Sequence, residues 1–320
     1  MHLTNIVFQG TVLGPALWNA FFSDVSHAVP QGNQIINLFA DDLTVMSFAP
    51  QQQSLDLLQQ ELTEAQQRTH DWGRDNQVQF DPSKESFHFL HPSLGQGPDF
   101  RLFGTLVDCK MTMFPDIEQV LGKIRPKIRA MLRLRHLYSM SAMIAQFKTH
   151  IWSHLEYSNG ALLLANRTQL KRLDKVQRWF LHELGITDTT VFVDFNFPPP
   201  SLRRAIGMLG FLHKRALGLC HPPIIAALPA ADDHIAAGAF HNKALHSFDD
   251  KAIYQRRLYD RSLFAFIHMY NRLPQFIVDA ATVSNFQSTL TRAAKSRAAA
   301  GDEHWRDWFQ DWAHVDRWFV

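Results

Sequence analysis

The chain has 320 residues, 46% of them hydrophobic and 12% aromatic, and a formal net charge of +2. This apolar content suffices for two or three packed units and excludes a disordered tail. No apolar run approaches the roughly 18 residues that a membrane-spanning helix needs, and residues 1–10 lack the layout of a signal peptide. We therefore expect a soluble intracellular protein, nuclear or cytoplasmic, with no membrane partner.

Several common catalytic and metal-binding motifs are missing from the sequence. Cys109 and Cys220 lie far apart without a CxxC or Cys/His pairing, which argues against a disulfide framework and a zinc knuckle. The 17 histidines include no HExxH motif, and neither GxSxG nor GxxxxGK[ST] occurs. The sequence therefore does not support zinc-protease, serine-hydrolase or P-loop chemistry.

Charge is distributed unevenly along the chain. Residues 1–100 contain 3 Lys/Arg against 11 Asp/Glu, a net charge of −8, whereas residues 101–220 contain 18 against 8, a net charge of +10. Residues 119–155 hold seven basic residues and no acid. Such a local excess suits contact with a polyanion such as nucleic acid, and a solvated helix face is the alternative explanation.

Two helices are predicted in the N-terminal part. The first begins at Gly14 and Pro15, because proline is favoured in the first turn of a helix. Its apolar stripe consists of Leu17, Phe21 and Val25. The second begins at Ser54, a suitable N-cap, and Gly73 is expected to help end it. Its apolar positions recur at three- and four-residue steps and are Leu55, Leu58, Leu62, Ala65 and Trp72.

Residues 35–48, between these helices, predict a β-hairpin. Two short apolar runs flank Asp41 and Asp42, which places both acids at the hairpin tip. Adjacent carboxylates are hard oxygen ligands of the kind that magnesium prefers, together with water and substrate phosphates. Without further context an Asp-Asp pair is weak evidence, because most such pairs are solvated turn residues.

Downstream, the pattern changes from mixed to almost wholly helical. Residues 78–80, 87–90 and 102–107 predict short strands. Beyond Asp116 a long helix is predicted, with a kink or restart at Pro126. Its buried face comprises Leu121, Ile124, Ile128, Leu132 and Leu134. Its other face carries five cations that we expect to contact a nucleic-acid backbone, namely Lys123, Arg125, Lys127, Arg129 and Arg133. Trp305, Trp308, Trp312 and Phe319 predict one apolar helix face near the end.

A second motif makes the Asp pair more specific. Residues 9–15 read Gln-Gly-Thr-Val-Leu-Gly-Pro and precede Phe39-Ala40-Asp41-Asp42 by about one helix and one turn. This order resembles the reverse transcriptases of non-LTR retrotransposons, in which a QGxxLGP loop and helix precede a hairpin bearing (F/Y)xDD. Less specific likenesses extend over most of the chain, at residues 153–157, 173–178, 203–204, 209–214, 261–264 and 270–274.

The resemblance implies RNA-directed DNA polymerase chemistry with magnesium as cofactor. In the family the Asp pair, here Asp41 and Asp42, faces the catalytic metal ions. The loop residues that would lie against the incoming nucleotide and template are Gln9, Gly10, Leu13 and Gly14. Lys84 would lie near the nucleotide phosphates. The primer-grip turn would comprise Leu102, Phe103 and Gly104. The implied partners are an RNA template and a DNA primer, or an RNA/DNA duplex.

The fold class that follows is a partial α+β polymerase palm, with a helix, a hairpin and short strands, and then a mostly α-helical thumb and C-terminal region. We predict a partial palm at residues 1–108, a basic helical thumb at residues 109–200 and a helical C-terminal extension at residues 201–320.

Departures from the family lead us to expect that the chain is inactive alone. The family's fingers and its first catalytic aspartate precede the QG loop, which lies at residues 9–14 here. Asp108 and Asp194 follow in the wrong order to replace that aspartate, and Phe8 stands where the family usually has proline. Two alternatives stay open, a non-enzymatic nucleic-acid-binding protein that uses residues 119–155 and a translated retrotransposon remnant. The sequence identifies no protein partner.

Overall fold

The computed structural model describes residues 10–29, 34–47, 55–91, 93–231, 241–247 and 262–306. The chain divides into two compact units, Met1–Ser86 and Phe87–Val320. The predicted fold class is confirmed, because two small antiparallel hairpins accompany many helices. The domain boundaries at residues 108 and 200 stay predictions. Within the described ranges, no helix combines the length and the apolarity needed to cross a membrane.

In its described residues the first unit contains three α-helices, one hairpin and a short 3-10 turn near its end. Its elements are α1 (Gly14–Phe22), α2 (Val25–Ala28), β1 (Gln34–Phe39), β2 (Asp42–Ser47) and α3 (Leu55–Asp75). Phe22, Val25 and Trp72 form its buried centre. The predicted stripe on α1 is therefore shifted, since Leu17 and Phe21 are exposed. The helix ends at Phe22, and Val25 reaches the core from α2 instead.

Helix α3 continues two residues beyond Gly73, so the expectation that this glycine helps to end the helix is wrong. Gly73 is buried, and a Cβ atom placed there would lie 2.5 Å from the Val78 carbonyl oxygen and 2.9 Å from the Phe80 ring. Glycine at this position therefore permits the backbone near Val78 to approach closely. It does not stop the helix. The predicted N-cap of α3, Ser54, lies outside the described residues.

The second unit begins with the other hairpin. Its strands are β3 (Phe100–Leu102) and β4 (Thr105–Val107), with Leu102 paired to Thr105. The strands predicted at residues 78–80 and 87–90 do not form, and only an isolated bridge joins Phe89 to Gln96. Residues 102–107 do not form one strand either, because the chain reverses at Phe103 and Gly104, which both have positive φ.

Helices form most of the remaining part of this unit that the structure describes. The first group comprises α4 (Phe114–Arg133), α5 (Met140–Phe147), a π-helical turn (Lys148–Trp152), α6 (Ser153–Glu156), α7 (Asn159–Leu162) and α8 (Arg167–Glu183). The second comprises α9 (Asp188–Phe195), α10 (Pro200–Ala216), α11 (Pro222–Ala227), α12 (Leu263–Asn271), α13 (Gln275–Val278) and α14 (Val283–Ala299).

Two hydrophobic clusters pack these helices, and they meet at α9. Val191 belongs to the cluster built mainly on α4, α5 and α8, whereas Phe192 belongs to the cluster built on α10, α12 and α14. Trp305 is buried in the second cluster and stacks on Phe192 with ring centroids 5.0 Å apart. It follows α14 in a turn, so the predicted helical face is wrong for Trp305. Its predicted companions Trp308, Trp312 and Phe319 lie outside the described residues.

Candidate nucleic-acid and metal site

The two acids lie at the tip of the first hairpin, as the sequence predicts. Phe39 pairs with Asp42 at the end of the ladder, and Ala40 and Asp41 form the connection. Ala40 has φ of 55°, a conformation that non-glycine residues seldom adopt. The indole N–H of Trp18 donates a hydrogen bond of 2.9 Å to the Ala40 carbonyl oxygen. Both carboxylates are exposed to solvent, and α1 fixes the backbone beside them.

The loop before α1 is linked to the same tip through this helix. Gly10 has φ of 89°, which favours glycine, and the Gly14 amide donates to the Thr11 carbonyl oxygen at 3.2 Å. Gly14 begins α1, and Trp18 lies about one turn later on it. Leu13 is 68% exposed, so its side chain is accessible beside the loop. Gln9, which the resemblance places against the template, lies outside the described residues.

The donor set at the hairpin tip fits magnesium in part. Magnesium is usually held by one or two carboxylates together with waters and substrate phosphates. Asp41 and Asp42 meet that requirement when a nucleotide supplies the remaining oxygens. No group of three or more metal-ligating side chains occurs among the described residues. A cage made only of described protein ligands is therefore absent from this part of the chain.

The other two aspartates considered as ligands both lie in the second unit, whereas Asp41 and Asp42 lie in the first. Asp108 is buried, and its carboxylate accepts hydrogen bonds of 2.8 to 3.0 Å from the backbone amides of Thr112 and Met113. It therefore orders the start of α4. Asp194 is exposed on α9 in the second unit, within a helix that contributes to both hydrophobic clusters.

Lys84 ends a short 3-10 turn formed by Pro82–Lys84 in the first unit. Hydrogen bonds from the Ser83 hydroxyl and backbone amide hold the pKa of Asp81 below its ordinary value. Lys84 Nζ lies 3.9 Å from an Asp81 oxygen, and the Lys84 side chain is 83% exposed. The lysine is thus a solvent-accessible cation on an ordered turn, and its place beside nucleotide phosphates stays a prediction.

The predicted primer-grip residues form the tight turn of the second hairpin. Leu102 ends β3, and Phe103 and Gly104 have φ values of 47° and 79°. The hydroxyl of Tyr157 donates a 2.7 Å hydrogen bond to the Phe103 carbonyl oxygen. A Cβ atom on Gly104 would lie 3.1 Å from that hydroxyl oxygen. The turn is therefore clamped by a tyrosine 54 residues away, and its role with a primer stays a prediction.

Helix α4 is amphipathic, as its sequence predicts. Leu121, Ile124 and Ile128 are fully buried, while Leu132 is half-buried and Met131 takes a core position. The predicted core residue Leu134 lies beyond the helix and is 45% exposed. Pro126 lies inside an uninterrupted helix, so no restart occurs there. All five predicted cations are exposed, namely Lys123, Arg125, Lys127, Arg129 and Arg133.

These five cations form two rows rather than one. At about 100° per residue, Arg125 and Lys127 point about 160° apart around the helix. The arginine row lies on the side of Glu118, which pairs with Arg172 of α8. On the other side, Lys127 Nζ donates to His154 Nε2 at 2.6 Å, and burial with the nearby lysine charges lowers the His154 pKa. The expectation that the lysines lie beside the arginines is therefore wrong. The lysines lie across the exposed side of α4 from them.

Two side chains with clear roles at these sites were not predicted. Trp18 follows the loop motif by three residues and had no predicted role, although an indole in the second turn of a half-buried helix needs an acceptor for its N–H. Tyr157 is an exposed aromatic residue next to α6, and its sequence carries no signal for a partner 54 residues away.

Comparison with known proteins places a family match on the first third of the chain. Residues 2–111 match the family model described as reverse transcriptase (RNA-dependent DNA polymerase). No curated protein and no solved structure matches the chain. The matched segment contains the loop, the Asp41–Asp42 hairpin, Lys84 and the turn at residues 102–104. It ends before α4, so the basic helix has no support from this comparison.

Proposed function

We propose that this chain forms part of an RNA-directed DNA polymerase of the non-LTR retrotransposon type, working on an RNA template and a DNA primer. The observation that carries the proposal is the exposed Asp41–Asp42 pair at a hairpin tip held by Trp18 of α1. The reverse transcriptase match covers this whole arrangement. The match alone reaches only the broader family, and the non-LTR type rests on the QGxxLGP and FADD motifs.

In this proposal Asp41 and Asp42 hold magnesium together with the phosphates of a bound nucleotide. Magnesium would supply activation of the attacking primer hydroxyl and stabilisation of the leaving pyrophosphate. Gly10, Leu13 and Gly14 form the surface against the nucleotide and template, with Gln9 preceding them, because glycine lets backbone approach a ligand closely. Lys84 offers a positive charge to the nucleotide phosphates.

Other residues of the second unit would hold the nucleic acid. The clamped turn of Leu102, Phe103 and Gly104 would contact the primer, and the exposed cations of α4 would contact phosphates of an RNA/DNA duplex. Polymerase chemistry depends on positioning and charge stabilisation, so this division of roles is physically reasonable. The described residues offer two adjacent carboxylates and no third ligand beside them. We therefore propose that the chain alone binds substrates without extending a primer.

The test uses the full chain and the double variant Asp41→Asn/Asp42→Asn. Binding of a fluorescent deoxynucleoside triphosphate is measured on an RNA/DNA primer-template, with and without magnesium, and primer extension is followed in the same samples. We expect magnesium-dependent nucleotide binding in the parent, its loss in the double variant, and no extension by either. Asp75→Asn at the exposed end of α3 is the matched control, since it also removes carboxylate charge from the first unit.

The outcomes separate the proposal from its rival. Equal nucleotide binding by parent and double variant would refute a metal role for the Asp pair. If that result came with intact duplex binding, the chain would be a non-enzymatic nucleic-acid-binding protein, which the uncompensated cations of α4 favour. Extension by the parent chain would show that further metal ligands come from residues outside the described part or from a second copy.

A further inference from the structure

Helix α8 carries a second row of cations. Arg167, Lys171, Lys175 and Arg178 follow one another at steps of four, four and three residues, and all four are exposed. At about 100° per residue they lie within an arc of about 80°, so they form one continuous stripe about 16 Å long. The stripe points away from Leu173, Val176 and Phe180, which are buried in the core.

The acids of α8 and α4 do not neutralise this stripe, because each has a partner elsewhere. Asp174 Oδ1 accepts from Arg204 at 2.8 Å, and Glu183 Oε2 pairs with Arg135 at 3.1 Å. Glu118 of α4 pairs with Arg172, the one lysine or arginine of α8 outside the stripe. The remaining acid, Asp116, is buried and accepts from the Leu106 amide. Among the described residues, no carboxylate forms an ion pair with any of the four stripe cations.

The α8 stripe and the arginine row of α4 face the same side of this pair of helices. Glu118 contacts Arg172, and farther along both segments Arg135 contacts Glu183, so the two helices run in the same direction. Arg125 and Arg129 lie within about 20° of Glu118 around α4, on the flank that meets α8. On α8, Lys175 follows Arg172 by three residues and lies next to it on the helix surface. Two nearly parallel tracks of uncompensated positive charge result.

We infer that the α8 stripe is a second phosphate-binding track for the same nucleic-acid double helix that the arginine row of α4 contacts. The inference rests on the proposed nucleic-acid role of α4 and goes beyond it, because it assigns a role to four residues that all lie outside the matched segment, residues 2–111. Packed helices lie about 8–10 Å apart, so rows of cations on two neighbouring helices can each follow one of the two phosphate strands of a double helix. A single strand has one phosphate chain and engages only one track at a time.

The test compares two double variants of the full chain. Lys171→Gln/Lys175→Gln removes two charges from the stripe, and Lys214→Gln/Arg292→Gln removes two exposed charges from α10 and α14 as the matched control. Binding of a blunt RNA/DNA duplex and of its isolated DNA strand is measured across salt concentrations. We expect the stripe variant to lower the salt slope for the duplex by up to ~1.8, or ~0.9 per lost phosphate contact. If its binding curve meets that of the parent at 1 M salt, the variant binds up to about 60-fold more weakly at 0.1 M.

The control variant should bind like the parent, and the loss on the single strand should be much smaller than on the duplex. Circular dichroism confirms that each variant keeps its helices. If the stripe variant binds the duplex like the parent while arginine variants of α4 weaken binding, the α8 inference is wrong and the proposed function stands. If neither set of variants matters, both fail. An equal loss on duplex and single strand would overturn the assignment of a second track.

Discussion

Neutralising the arginine row of α4 is the perturbation that most directly tests whether the second unit binds nucleic acid. The variant is Arg125→Gln/Arg129→Gln/Arg133→Gln. All three side chains are exposed, and none forms an ion pair with a described acid. Glutamine has nearly the helix propensity of arginine, so α4 should keep its structure and its buried face. A loss of binding in this variant would therefore reflect lost charge.

The expected size follows from counterion release. Each phosphate contact contributes about 0.9 to the slope of log binding constant against log salt concentration, so three contacts contribute about 2.7. If parent and variant converge at 1 M salt, the variant binds about 500-fold more weakly at 0.1 M and about 80-fold more weakly at 0.2 M. These values are upper bounds, because they require that all three arginines contact phosphates.

The assay is fluorescence anisotropy with RNA/DNA duplexes of two unrelated sequences, repeated over a series of salt concentrations. The loss should be the same for both sequences, because phosphate contacts carry no base information. The matched control replaces the same three residues with lysine, which keeps the charge and should retain most of the salt slope. Binding curves of the glutamine variant that overlay those of the parent at every salt concentration would show that the row is only a solvated helix face.

Two further predictions concern stability of the second unit, both measured by hydrogen exchange of the helices that contain the altered residues. Asp174→Leu leaves the buried Arg204 guanidinium without its carboxylate and should destabilise α8 and α10 by about 3–5 kcal/mol. Adding Arg204→Met should restore most of that loss, and no recovery would mean that the cost comes from packing. Burial lowers the pKa of His213, whose ring is hydrogen-bonded to Tyr270 and to the Ala280 carbonyl oxygen. The unfolded chain therefore binds this proton more readily, so stability should fall as pH drops below about 6.5, by at most about 1.4 kcal/mol per pH unit. A His213→Gln variant with the same pH dependence as the parent would contradict the assignment.

The elements that could be predicted are those whose signal is local. The hairpin of β1 and β2 follows from apolar runs on either side of an acidic turn, and it forms within one residue of the predicted limits. Helix α4 follows from apolar residues at three- and four-residue steps. The strand predicted at residues 87–90 does not form, and only the Phe89–Gln96 bridge occurs there. A short apolar run does not identify the strand with which it would pair.

The contacts that complete the candidate sites could not be predicted, because they join residues far apart in sequence. Trp18 reaches the Ala40 carbonyl across 22 residues, and Tyr157 reaches Phe103 across 54. The role of Gly73, which lies within a helix, could not be predicted from the sequence either. A glycine near a helix end usually predicts a stop, but here the close approach of the Val78 carbonyl oxygen requires it instead.

The metal proposal and the basic-surface proposal rest on independent observations, so their tests can fail separately. The Asp41–Asp42 proposal depends on a hairpin inside the segment that matches reverse transcriptases. The α4 and α8 proposals depend on charge outside that segment, where four acids are engaged with partners and the two basic rows are left uncompensated. Loss of nucleotide binding in the Asp variant, with duplex binding retained, would assign separate tasks to the two units. Duplex binding without any magnesium-dependent nucleotide binding would instead leave the basic surface as the functional part of this chain.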